Sequence, residues 1–173
     1  MRDSLDLLLD DAGEAVVRAE WTALVDAGLP SAGDRRDATH APHVTVAERD
    51  AVDPCADEAI ETLVALLPVA VHLGAPVVLG ARRGVVVARS VVPTAELLAL
   101  HAAAHAALGP GGPPWSAPGR WLPHVTVSGR LEPPQVGAVV AVLGPGYDVV
   151  GARLRRWSPG TRAVRDLGDD SAR

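Results

Sequence analysis

Pro42-His43-Val44-Thr45-Val46 recurs in this chain, letter for letter, as Pro123-His124-Val125-Thr126-Val127. One copy falls in each half of the 173 residues. The repeated letters are not the abundant ones: only six histidines are present, and two of them sit here. In an extended strand, residues two apart share a face. His43 and Thr45 then point one way, and Val44 and Val46 the other. His124 and Thr126 separate from Val125 and Val127 in the same manner. The valine side can bury against a helix layer, which leaves the histidine–threonine side to line a cleft. Two such strands set together predict one cleft holding two imidazoles and two hydroxyls.

Outward from the first copy, Ser4–Asp10 reads as a buried strand and Ala12–Ala27 as a helix. Its expected apolar face is Ala15, Val16, Ala19, Ala23 and Leu24, and Gly28 and Pro30 stop it. Ser31–Pro42 is a polar loop. Beyond the motif strand, Asp57–Leu67 reads as a helix capped by Asp53 or Asp57, with Ile60, Leu63, Val64 and Leu67 on one side. Val69–Leu73, Val77–Leu79 and Val85–Val92 are strand-like, and Gly80 to Gly84 is a turn. Thr94 caps a helix from Ala95 to Leu108, and Gly109–Gly119 is a long Gly/Pro loop. The second motif strand spans Trp121–Ser128 and a helix spans Pro134–Leu143. Tyr147–Trp157 and Thr161–Leu167 form a closing hairpin, and Gly168–Arg173 is a polar tail. A helix followed by a motif strand thus recurs on both sides of the middle. The expected architecture is a single α+β domain over residues 1–173. It is bilobal: two pseudo-twofold-related lobes of antiparallel sheet, with flanking helices, surround a central cleft.

Composition narrows the function. Hydrophobic residues make up 48% of the chain, Phe is absent and Tyr147 is the only tyrosine, so Val, Leu and Ala must build the core. The net charge of −5 argues against tracking long nucleic acid, which needs a basic face. A single phosphate or a short oligonucleotide is still within reach of a local Arg cluster. Cys55 is alone, so no disulfide framework or Cys-based metal site is expected. Leu5–Leu9 is too short for a leader and is followed by Asp10 and Asp11. No apolar run approaches the roughly 18 residues of a membrane span. The expectation is a cytoplasmic protein with no membrane partner; oligomeric state is not readable.

The paired motif suits phosphoryl chemistry that draws on no cofactor and no metal. In-line displacement needs a base near the attacking oxygen and an acid near the leaving oxygen, on opposite sides of phosphorus. Two imidazoles meet that need, because an ordinary histidine titrates near neutral pH. Thr45 and Thr126 could donate hydrogen bonds to the non-bridging oxygens.

These residues resemble the two-histidine phosphoesterase superfamily, whose signature is a pair of His-h-Thr/Ser-h motifs, h being apolar. The similarity is to bacterial 2′-5′ RNA ligase-like proteins and RNA 2′,3′-cyclic phosphodiesterases. It extends to the Pro before each His, to Trp121 three residues before His124, and to Val85–Leu108 and the Leu154–Leu167 hairpin. The resemblance implies metal-independent opening of cyclic phosphates on nucleotides or RNA ends, or reversible 2′-5′ phosphodiester chemistry. His43 and His124 would be the catalytic acid–base pair, and Thr45 and Thr126 the phosphate-binding hydroxyls. Many relatives carry Arg five residues after the second His; here that position is Gly129, with Arg130 next to it.

Arg130, Trp115 and Trp121 are the further candidate substrate contacts, the tryptophans as stacking surfaces for a base. Trp121 also suits packing beside the motif strand. His101 and His105, four apart on a helix, have metal-binding spacing but no third ligand nearby, and read better as packed histidines. His40 faces solvent or the cleft mouth. Arg35 and Arg36 could attract a phosphate, Arg82 and Arg83 form a turn, and one of Arg155 and Arg156 points into the cleft. The leading expectation is a cyclic phosphodiesterase. The alternatives are 2′-5′ RNA ligation, a nucleotide- or phosphate-binding module without turnover, and a metalloenzyme built on His101 and His105.

Overall fold

The computed structural model describes residues 2–35, 37, 39–80, 83–161 and 163–167. The expectations for Arg36, Arg82 and the tail Gly168–Arg173 lie outside the described residues. The chain runs β1 (Asp3–Leu9), α1 (Asp11–Asp26), β2 (His43–Arg49) and α2 (Asp57–Glu61), which continues as a 3-10 turn, Thr62–Leu66. It goes on through β3 (Val69–Gly80), β4 (Val85–Val91), α3 (Ala95–Ala107), β5 (His124–Thr126) and α4 (Val136–Val142). It closes with β6 (Tyr147–Ser158) and β7 (Ala163–Asp166). The fold is α+β.

Every strand pairing is antiparallel, in the order β2-β1-β6-β3-β4-β5, with β7 beside β6. That order is unchanged, read backwards, when β1 exchanges with β4, β2 with β5 and β3 with β6. In connectivity the chain repeats a β-α-β-α-β unit, and the third strand of each unit pairs with the first strand of the other. The two motif strands lie at the two ends of this path, yet β2 and β5 also touch each other. The sheet therefore curls until its ends meet.

Strand alternation explains the core. Leu5 and Leu7 of β1, Val44 and Val46 of β2, Val87 of β4, Val125 of β5 and Leu154 of β6 are buried in one apolar cluster. Val17, Trp21 and Leu24 of α1 and Leu97, Leu100 and Ala104 of α3 complete it. The N-cap side chains of these helices accept backbone N–H bonds, Asp10 from Gly13 and Thr94 from Leu97. Such a cap is worth about 1 kcal/mol.

Four local expectations need correction. The buried face of α1 is Gly13, Val17, Trp21 and Leu24, whereas Ala15, Val16, Ala19 and Ala23 are exposed. The reason is close approach: a Cβ on Gly13 would meet the Val149 side chain of β6 at 2.9 Å, so the glycine face docks and the alanines turn outward. The segments Val69–Leu73 and Val77–Leu79 belong to one strand, β3, whose register slips between Leu73 and Pro76. The second motif strand is shorter than Trp121–Ser128, because Trp121 is used elsewhere. Asp53 accepts from the N–H of Cys55 in the turn ahead of α2, and α2 itself has no side-chain cap.

One core position breaks the apolar rule. Arg89 of β4, opposite Val125, is 1% exposed. Its guanidinium pairs with Glu20 of α1, donates to the carbonyls of Gly74 and Gly144, and lies over the Tyr147 ring. The carboxylate and burial push the Tyr147 phenol above its usual range, burial being the larger cause.

Candidate active site

Each motif histidine is aimed by its own strand. The Nδ1 of His43 bonds the carbonyl of Ala41 at 2.7 Å, and the Nδ1 of His124 bonds the carbonyl of Leu122 at 2.8 Å. A carbonyl only accepts, so Nδ1 carries the hydrogen in both rings. Nε2 then carries the lone pair in both neutral rings, and neither Nε2 has a hydrogen-bond partner among the described residues. Both imidazoles are half-buried.

Two tryptophans tie the halves together. The indole N–H of Trp121 donates to the carbonyl of Thr45 at 3.1 Å, and that of Trp21 donates to the carbonyl of Thr126 at 3.1 Å. Each indole also stacks on a histidine: Trp121 on His101 with centroids 4.1 Å apart, and Trp21 on His40 at 4.9 Å. Trp121 precedes the second motif but holds the first. Trp21 belongs to the first unit but holds the second motif.

The cavities around the motifs are shared crosswise. His124 and Thr45 line one of about 360 Å³, together with Glu48, Leu79, Trp115, Arg120 and Trp121. His43 and Thr126 line one of about 80 Å³, together with Trp21, Arg35 and His40. Adjoining it, about 190 Å³ is lined by His43, Asp6, Arg35, Thr39, His40 and Arg155. These cavities thus pair His43 with Thr126 and Thr45 with His124, and none of the three is lined by both imidazoles. A fourth cavity of about 420 Å³ lies away from the motifs, and its Arg156 and Arg165 are already paired with Asp57.

The two threonines are not equivalent. Thr45 sits opposite Asp6 and donates to its carboxylate at 3.1 Å. Asp6 is buried, with an Arg155 nitrogen 3.6 Å away. Thr126 sits opposite Ala88, and its hydroxyl has no hydrogen bond among the described residues. Arg155 is thus the cleft-side residue of the Arg155–Arg156 pair, while Arg156 turns to Asp3 and Asp57. His40 is held neutral, its pKa lowered to about 4 by burial first and then by Arg35 and His43.

The remaining expected residues divide. Trp115 is 65% exposed and lines the larger cavity. Trp121 lines it too, but its N–H and its ring are both engaged in packing. Arg130 is exposed and is not among the lining residues of these cavities. Gly129 presses on the carbonyl of Ser31, which a Cβ would meet at 3.1 Å, so little room exists there for a longer side chain. His101 is buried with its Nδ1 on the carbonyl of Val46, and His105 packs edge-on against it. No group of three or more His, Cys, Asp or Glu suited to a metal exists among the described residues. No helix among them is long and apolar enough to cross a membrane. Sequence reasoning missed Trp21 and Asp6. The signal for Asp6 was an acid interrupting the apolar run Leu5–Leu9.

The 2′-5′ RNA ligase superfamily profile matches residues 12–164. The chain belongs to this superfamily, the two-histidine phosphoesterases that its paired motifs resemble. No curated protein matches it. Among solved structures, apo LigT of E. coli is similar at 17% identity and a TM-score of 0.51, covering 96% of this chain and 94% of that one. A structure described as a phosphoesterase has 16% identity and a TM-score of 0.49, with the same coverages. The likeness to LigT is one of fold.

Proposed function

We propose that this protein opens 2′,3′-cyclic phosphates of nucleotides or RNA ends, with His43 and His124 as its acid–base pair and no metal in the chemical step. The observation that carries this is the identical anchoring of the two rings. Each has its Nδ1 tied to a carbonyl two residues upstream and its Nε2 free. One Nε2 takes a proton from water as the water oxygen attacks phosphorus. The other gives its proton to the ribose oxygen as the P–O bond breaks, leaving a monoester. An imidazole on each side of phosphorus would suit that in-line path. Thr126, whose hydroxyl is uncommitted, is the readier donor to a non-bridging oxygen; Thr45 can donate only by releasing Asp6.

The test is turnover of nucleoside 2′,3′-cyclic phosphates by chelator-treated protein. Activity that survives both His43→Ala and His124→Ala sinks the proposal. With a ribose 5′-hydroxyl in place of water as the nucleophile, the same pair would join RNA ends through a 2′-5′ linkage, the 3′ oxygen leaving with the acid's proton. The cavity space on the His43 side, with Arg35 and Arg155, supports this second reading. Ligation of cleaved RNA halves without a nucleotide cofactor tests it.

A further inference from the structure

The larger cavity carries more than a stacking wall. Arg2 lies over one face of the Trp115 ring, 5.7 Å from its centroid, and the ring is still 65% exposed. Glu48, from the strand that bears His43, lines the same cavity, and its carboxylate has no hydrogen bond or ion pair among the described residues. Arg120, four residues before His124, lines it too, and its guanidinium is equally uncommitted among them. An unpaired carboxylate is a poor neighbour for a phosphate. It is a good partner for a group that only donates. A volume of about 360 Å³ is within the range of small-ligand sites.

We propose that this cavity is a nucleobase site selective for guanine, with Glu48 and Arg120 reading the base and Trp115 stacking on it. The inference rests on the cyclic-phosphate reading above, with His124, which lines this cavity, as the imidazole on the ribose side. Guanine alone offers two adjacent donors, N1–H and the N2 amino group, to match the two acceptor oxygens of a carboxylate. Its O6 and N7 acceptors match a guanidinium. Adenine and cytosine offer Glu48 one amino group. Uracil sets two carbonyl oxygens against it.

Rates are measured with the 2′,3′-cyclic phosphates of all four nucleosides, and affinities by titration with guanosine and uridine 3′-monophosphates. The expected result is a kcat/KM for guanosine about ten-fold or more above that for uridine. Glu48→Ala, checked for folding by its melting curve, collapses that ratio through KM, and Arg120→Ala weakens guanosine 3′-monophosphate binding. Turnover of all four at similar kcat/KM overturns the guanine site and leaves the phosphodiesterase standing. Turnover of none overturns the phosphodiesterase; tighter binding of the guanosine than of the uridine monophosphate then still supports the base site, and equal binding overturns it.

Discussion

The indole N–H of Trp121 reaches across the molecule to the carbonyl of Thr45, 76 residues away in sequence. It locks the backbone of one motif strand to the segment that leads into the other. Trp121→Phe keeps a ring to stack on His101 and removes only the donor. The lost bond should cost about 1 kcal/mol of stability, read by urea denaturation. It should also lower kcat more than it raises KM, since the reacting groups rather than the substrate pocket lose their alignment.

Removal of one imidazole disables a concerted proton relay. His43→Ala and His124→Ala should each reduce kcat/KM by about 10²–10⁴-fold. The double variant should fall little below the worse single one, because the two groups act as a unit. Multiplicative losses in steady-state kinetics would show that the rings work independently.

Asymmetry between the threonines should be visible in the kinetics. Thr126→Val deletes an uncommitted donor and should depress kcat by about ten-fold or more. Thr126→Ser should restore most of it. Thr45→Val also strands the buried Asp6 carboxylate, so it should lower thermal stability as well as rate.

Arg89 and Glu20 form a largely buried ion pair between β4 and α1. Glu20→Ala leaves the guanidinium uncompensated and should destabilise the fold by about 3 kcal/mol or more. Arg89→Leu with Glu20→Leu together should cost much less than the sum of the single changes, in equilibrium unfolding of the four proteins.

Acid should weaken the fold through two histidines. His40 and His105 have folded pKa values lowered to about 4, in both cases mainly by burial. Positive neighbours add to this, Arg35 and His43 for His40, and His101 and Arg49 for His105. Above the ordinary histidine value near 6.5 both states are neutral and stability is unaffected. As the pH falls from there towards 4, the unfolded chain binds protons that the folded chain refuses, so stability declines. His105→Gln should flatten this slope in urea midpoints measured from pH 7 to pH 4.

The motif strands, the helix after Thr94 and the closing hairpin were legible because each is announced by local chemistry: alternation, a cap, a Pro-Gly turn. The face of α1 was not. Its alanines are hydrophobic by letter, but small, and they lose to Trp21, whose ring fills the core while its N–H reaches the carbonyl of Thr126. The site itself divides in the same way. His43, Thr45, His124 and Thr126 follow from a two-residue period. Asp6 and Arg155 reach the cleft through strand pairing, and Trp21 through packing of α1 on β5, between segments far apart in sequence, which a linear pattern does not encode.

The carbonyl that orients each motif imidazole lies just two residues upstream of it. Ring pose is therefore closed within three consecutive residues, with Ala41 and Leu122 serving both as the orienting carbonyls and as wall residues of the adjoining cavities. Such a cassette can be re-housed. Surrounding loops can change length and charge while the ring pose stays as it was, so this short stretch is portable between unlike pockets.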